Sequence, residues 1–179
     1  MNGILLVSHC ILNPYTAVGG SVPNREAMQA LVRWSLERDV ALLQMPCPEF
    51  THAGASRKPR TLEGYDVPQF RAHCAELATR LAETLGEHRA AGHTILGIVG
   101  VDGSPSCGVE LTTRECDGSE AKVAGEGVFT RQLREELRGQ GWELPYVGLP
   151  HRRQTERQGN SWTEELDRLL GEKSQGSAA

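Results

Sequence analysis

The stretch Thr94–Gly108, "TILGIVGVDGSPSCG", joins an unbroken apolar run to a tight Gly/Pro/Ser loop that carries a cysteine. An apolar run without polar alternation is the pattern of a strand buried on both faces. The glycines and the proline of the loop permit sharp turns. The chain therefore sets a thiol at the mouth of a buried strand.

It does something similar twice more. "GILLVS" (3–8) is a second buried run, and Cys10 follows it by two residues. "VALLQM" (40–45) is a third, and Cys47 follows it by two. "ELPYVGL" (143–149) is a shorter fourth run. Helical patterns lie between these strands. "PNREAMQALVRWSLERD" (23–39) places Ala27, Leu31, Trp34 and Leu36 on an approximate apolar face, with Asn24 able to cap its start. "VPQFRAHCAELATRLAETLGEHRAAG" (67–92) puts Phe70, Cys74, Leu77, Leu81 and Leu85 on one stripe, with Gly92 as a stop. "VFTRQLREELRGQG" (128–141) reads as a helix ending at Gly139 or Gly141. "SWTEELDRLLGE" (161–172) opens on a capping box, Ser161 with Glu164. The segment 46–66 reads as an irregular loop because its prolines and glycines interrupt regular structure, and 110–127 reads as a polar stretch.

Strands alternating with helices predict an α/β fold: a single three-layer αβα domain over 1–171 with a mainly parallel, Rossmann/flavodoxin-like sheet. A disordered tail is expected over 172–179. The chain has 179 residues, enough for one full core. A formal net charge of −4 leaves no basic excess to neutralise a phosphate backbone, so a nucleic acid polymer is not the expected partner. No apolar run approaches the ~18 residues that span a bilayer, so a membrane is not expected either. The N-terminus lacks a charged region and a cleavage site, which predicts a cytoplasmic address and reduced thiols.

Five cysteines are present: Cys10, Cys47, Cys74, Cys107 and Cys116. An odd number without CxxC spacing argues against a disulfide framework, a zinc ribbon or a thioredoxin-type motif. In a doubly wound sheet, ligands bind at the C-terminal edge of the strands. Cys10, Cys47 and Cys107 all reach that edge. Three thiolates at one point repel unless a cation holds them, and soft sulfur selects zinc, copper(I) or an iron–sulfur cluster. Three ligands leave one coordination position open, as in catalytic sites. Cys74 sits in an apolar stripe and reads as core. Cys116 is either incidental or a fourth ligand.

The motifs "LLVSHCILN", "MPCPEF", "GSPSCG" and "GEGVFTRQLREEL", in this order over about residues 4–148, resemble the DUF523 family, whose characterised members are thiouracil desulfidases. The chain looks like a divergent branch: His9 stands where the family has alanine, and "THAGASRKPR" replaces a Gly-Gly-Leu stretch, though Pro59-Arg60 still fits. The resemblance implies a 4Fe–4S cluster held by Cys10, Cys47 and Cys107, with a fourth iron open to take sulfur from a small thiolated substrate. It places the family's acidic residue on Glu49 and its loop serine on Ser104.

Removal of sulfur from a thiocarbonyl carbon needs a sulfur acceptor, a water nucleophile and a proton-transfer group. Glu49 is the candidate for proton transfer, a surface or helix-capping carboxylate being the alternative. Ser104 and Ser106 are candidates to hydrogen-bond substrate or cluster sulfur, ordinary turn chemistry being the alternative. Ser8 and His9 flank Cys10 and are expected to line the pocket; Asn13 does so as well, or makes an Asx-turn. His151 follows the fourth strand toward the same edge, within a segment that also reads as a solvated turn. "GEG" (125–127) opens a helix and either holds an anion or serves tight packing.

The expected function is an iron–sulfur desulfidase acting on a thiolated pyrimidine-like compound. Three rivals use the same edge: a zinc enzyme with a metal-bound water, a non-catalytic cluster or ligand sensor, and a thiol redox protein. A homodimer is left open.

Overall fold

A computed structural model describes residues 3–20, 23–151, 163, 164 and 166–168. The elements run β1 (Gly3–Val7), α1 (His9–Leu12), α2 (Arg25–Glu37), β2 (Val40–Gln44), α3 (Pro48–Ala53), α4 (Leu62–Tyr65), α5 (Pro68–Ala90), β3 (Ile95–Val101), β4 (Leu111–Cys116), β5 (Ser119–Ala124), α6 (Val128–Gly139) and β6 (Tyr146–Leu149). Two 3-10 turns, Pro14–Thr16 and Val18–Gly20, link α1 to α2.

The four apolar runs form one parallel sheet in the order β2-β1-β3-β6. All seven residues of β3 are buried, as its unbroken apolar sequence requires. Side chains alternate across β1. Ile4 and Leu6 pack toward α5 and α6, together with Phe70, Leu85, Phe129 and Leu133. Leu5 and Val7 pack toward α2, together with Leu31, Trp34 and Leu166. Helices thus cover both faces, giving the predicted three-layer αβα architecture. Among the described residues, no helix is long and apolar enough to cross a membrane.

The helix limits follow from local chemistry. The Ala27 N–H donates to Asn24 Oδ1 (3.1 Å), which caps α2 as the sequence predicts. Gly92 (φ 82°) and Gly141 (φ 75°) end α5 and α6 in the left-handed region open to glycine. Leu36, expected on the apolar face of α2, is 77% exposed, and Ser35 takes the buried place. The segment 46–66 is not all loop. Pro48 occupies the first position of α3, where its missing N–H costs no bond, and Cys47 Sγ accepts from the Phe50 N–H (3.4 Å) as the cap. The polar stretch 110–127 is not structureless either. β4 and β5 pair as an antiparallel hairpin turned by Asp117 and Gly118, both at positive φ, which is the geometry an Asp-Gly dipeptide favours. The expected capping box at Ser161 and the expected tail at 172–179 lie outside the described residues, although Glu164 and Leu166 fall on helical positions there.

Four glycines mark where another part of the chain presses on the backbone. A side chain at Gly100 would strike the Cys107 carbonyl, and one at Gly127 the Ser106 backbone. One at Gly108 would strike the Leu111 carbonyl, and one at Gly148 the Asp102 carboxylate. Gly100→Ala is expected to lower stability by about 1–3 kcal/mol, the usual cost of overpacking a closed site. Urea unfolding monitored by far-ultraviolet circular dichroism checks this.

Candidate functional site

The strand order puts β2, β1 and β3 side by side. The segments that follow them carry Cys47, Cys10 and Cys107, and all emerge at the C-terminal edge of the sheet. β1 connects to a neighbour on one side while β3 lies on its other side, so Cys10 and Cys107 flank the topological switch point.

The loop after β3 is built to return its thiol to the strand end. The Val101 N–H donates to the Cys107 carbonyl (2.9 Å), folding the loop back on β3. Asp102, 5% exposed, accepts on Oδ1 from the N–H groups of Val109 (3.2 Å), Glu110 (2.9 Å) and Leu111 (3.3 Å). From the other side, the opening N–H groups of α6 donate into the loop. Val128 reaches the Pro105 carbonyl (2.9 Å), and Phe129 (2.9 Å) and Thr130 (3.1 Å) reach that of Ser106. These donors are therefore spent on protein, and "GEG" serves close packing rather than anion binding. Ser104 Oγ accepts from the N–H groups of Ser106 (3.3 Å) and Cys107 (3.0 Å), so it shapes the loop.

The thiols sense one another. Burial pushes Cys10 up to about 12, helped by the charges of Cys47 and Glu49 and opposed by Arg57. Cys107 is raised well above its ordinary value by burial first, then by Cys47, Cys10 and Glu49. Burial also raises Cys47. Cys107 belongs to the core on the α5–α6 face and Cys10 borders that on the α2 face, so the thiols bracket the end of the sheet. Among the described residues, no three His, Cys, Asp or Glu side chains are gathered tightly enough to share a single ion. All five cysteines are free thiols. Cys74 is fully buried in the α5 stripe, as expected of a core residue, and Cys116 stands half-buried at the hairpin end.

Glu49 is buried, 6% exposed, and not the surface group that the bland alternative supposed. Its Oε1 accepts from Ser106 Oγ at 2.6 Å. Its Oε2 accepts from Tyr65 Oη at 3.1 Å and from Arg57 Nε at 3.2 Å. Ser106 Oγ also lies 3.7 Å from Cys107 Sγ and 3.2 Å from Ser104 Oγ. The carboxylate is thus wired by one hydroxyl to a thiol of the edge.

Ser8 Oγ and His9 Nδ1 are buried with no hydrogen-bond partner among the described residues, immediately before Cys10. Burial lowers the His9 pKa. Unmet polar capacity beside a group of thiols is what a bound group would satisfy. Asn13 is exposed, and its side chain accepts from the Tyr15 N–H (3.2 Å), which is the local-turn alternative. His151 bridges Pro23 beyond β6, and most of the segment that follows it lies outside the described residues.

Sequence inspection missed Arg57, Tyr65 and Asp102. Asp102 stands directly after an apolar strand and before a Gly-rich loop, a place where a carboxylate can collect loop N–H groups. Arg57 and Tyr65 fall inside the segment read as irregular, and no periodicity marks them.

Fold and edge together define a class: an α/β protein that collects thiols and a buried, hydrogen-bonded carboxylate where three parallel strands end. The chain belongs to the family described as "Putative 2-thiouracil desulfurase", whose model matches residues 2–141. This bears out the resemblance carried by the four motifs. The chain is also similar to an uncharacterized protein of Methanocaldococcus jannaschii, 29% identical over 106 residues that make up 59% of this chain and 67% of that protein. No solved structure matches it.

Ser106→Ala strips Glu49 Oε1 of its donor. A buried carboxylate oxygen left unpaired costs about 1–3 kcal/mol, so the variant is expected to unfold at lower urea concentration with an unchanged denaturant slope.

Proposed function

We propose that the chain is an iron–sulfur-dependent desulfidase that converts a thiocarbonyl compound, a thiolated pyrimidine of the 2-thiouracil kind, to its oxo form. The observation that carries this is the Glu49–Ser106 hydrogen bond at the same sheet edge to which three adjacent parallel strands deliver Cys10, Cys47 and Cys107. Family membership supports the reaction class.

The donor set suits a cluster. Burial raises all three thiols, Cys47 further raises Cys10, and both raise Cys107; a positive centre would offset their charge and let them ionise. A single zinc ion draws its ligands to one point about 2.3 Å from each sulfur. A cluster offers a separate iron to each thiolate and so accepts wider spacing. Cys10, Cys47 and Cys107 would hold it, and Ser8 Oγ and His9 Nδ1 have free capacity beside it. When bound, such a cluster supplies an open iron with affinity for the substrate's sulfur.

The protein's own groups manage water and protons. The net reaction, thiocarbonyl plus water giving carbonyl plus hydrogen sulfide, involves no external oxidant or reductant. Glu49 accepts the proton of the attacking water at Oε1, and the Ser106 hydroxyl passes it along the 2.6 Å contact. The proton then returns to the departing sulfide, so that hydrogen sulfide leaves, and Ser104 Oγ, 3.2 Å from Ser106 Oγ, orients that hydroxyl. The raised thiol pKa values work against the redox-protein rival, because attacking thiols need thiolate character.

Purification without oxygen is expected to give a brown protein with iron and acid-labile sulfide, which releases sulfide from 2-thiouracil. A colourless protein carrying zinc, or a brown one that leaves 2-thiouracil intact, contradicts the proposal. Ser in place of Cys10, Cys47 or Cys107 is expected to lose the iron, whereas Cys74→Ser retains it. Glu49→Gln is expected to keep the iron and lose turnover by a factor on the order of 100 or more.

A further inference from the structure

Glu49 is held from outside the cysteine loops. The side chain of Arg57 is 4% exposed. Its Nε donates to Glu49 Oε2 at 3.2 Å, its Nη2 to the Thr16 carbonyl at 2.6 Å and its Nη1 to the Gly54 carbonyl at 3.1 Å. Thr16 belongs to the turn downstream of Cys10, and Gly54 ends α3, the helix that Cys47 caps. One guanidinium therefore joins the Cys10 segment, the Cys47 helix and the carboxylate. The positive charge is felt at Cys10, Cys47 and Tyr65 alike. Arg60, the residue in the Pro-Arg position, does something else. Its guanidinium lies 5.8 Å from the Tyr65 ring centre and Nη1 donates to the Gly64 carbonyl (3.3 Å), so it braces Tyr65.

We infer that Arg57 is a positioning residue of this site. It acts with Tyr65 to occupy Glu49 Oε2, which leaves Oε1 and Ser106 to face the chemistry, and it sets the Cys10 segment against the Cys47 helix. The inference rests on the reading of Glu49 as the proton-transfer group. Three bonds in three directions need the planar fork of arginine, and a lysine ammonium on a flexible stem cannot reproduce them.

Two measurements test this. In the metal-free full-length chain, iodoacetamide labelling is followed cysteine by cysteine by peptide mass analysis. Arg57→Lys is expected to label Cys10 and Cys47 about tenfold faster than the parent, through local opening, with Cys116 unchanged. In the iron-loaded chain with 2-thiouracil, Arg57→Lys and Tyr65→Phe are expected to lower kcat by on the order of 10- to 100-fold, the cost of a misaligned group. KM should stay within about threefold, with iron and sulfide content retained and Tyr65→Phe the milder of the two. Faster labelling with unchanged kcat would reduce Arg57 to a staple of the fold and overturn the inference, as would labelling equal to the parent's. If the parent chain leaves 2-thiouracil intact, the functional reading fails and labelling alone decides whether Arg57 joins the two segments. If Arg57→Lys does not fold, Tyr65→Phe carries the kinetic test, and unchanged kcat in that variant overturns the clamp.

Discussion

The structure depends on how the backbone after β3 is held. A loop that carries a thiol to the end of a buried strand cannot be left to solvent, because its own N–H and C=O groups are partly enclosed and must be paired. Asp102 meets three of those N–H groups with a single oxygen, and the first turn of α6 meets two of the carbonyls. The usual problem of a helix N-terminus, donors without acceptors, and the usual problem of a tight loop, acceptors without donors, solve each other here. Cys107 and Ser106 are held in place by these bonds, which sets Ser106 Oγ at 2.6 Å from Glu49.

That contact sits among competing electrostatic demands. Buried thiols resist ionisation, and a buried carboxylate beside them makes ionisation harder still. Arg57 offsets this from one side by pairing with Glu49 and easing Cys10 and Cys47. A buried charge pair is costly to desolvate, so its presence is explained better by what it organises than by stability. The thiols, the satisfied carboxylate and the unpartnered Ser8 and His9 atoms thus share one edge, with Glu49 already balanced by Arg57.

The sequence made the frame legible because burial on both faces leaves a plain signature: four apolar runs, each of strand length, separated by helical stripes. Parallel pairing and the crossover rules then bring Cys10, Cys47 and Cys107 to one edge without any knowledge of side-chain packing. Glu49 and the loop serines came into view through motif resemblance, and the structure added which atoms they touch. Ser106 rather than Ser104 bonds Glu49, a distinction that depends on loop geometry alone. Arg57 and Tyr65 were out of reach for a physical reason. They contact Glu49 across 8 and 16 residues of chain through two short helices that proline and glycine composition disguises. The β4–β5 hairpin carried a usable signal in Asp117-Gly118, but its strands are barely buried and lack the hydrophobic alternation that announces a strand.

The four close-packed glycines have a consequence for how such a protein can change over generations. At positions 100, 108, 127 and 148 the obstacle is backbone or a buried carboxylate, which cannot swing aside as a flexible side chain can. Innovation is thereby channelled elsewhere. Exposed positions such as Leu12, Tyr15 and Leu36 can drift, while the backbone that carries the thiol loop stays locked.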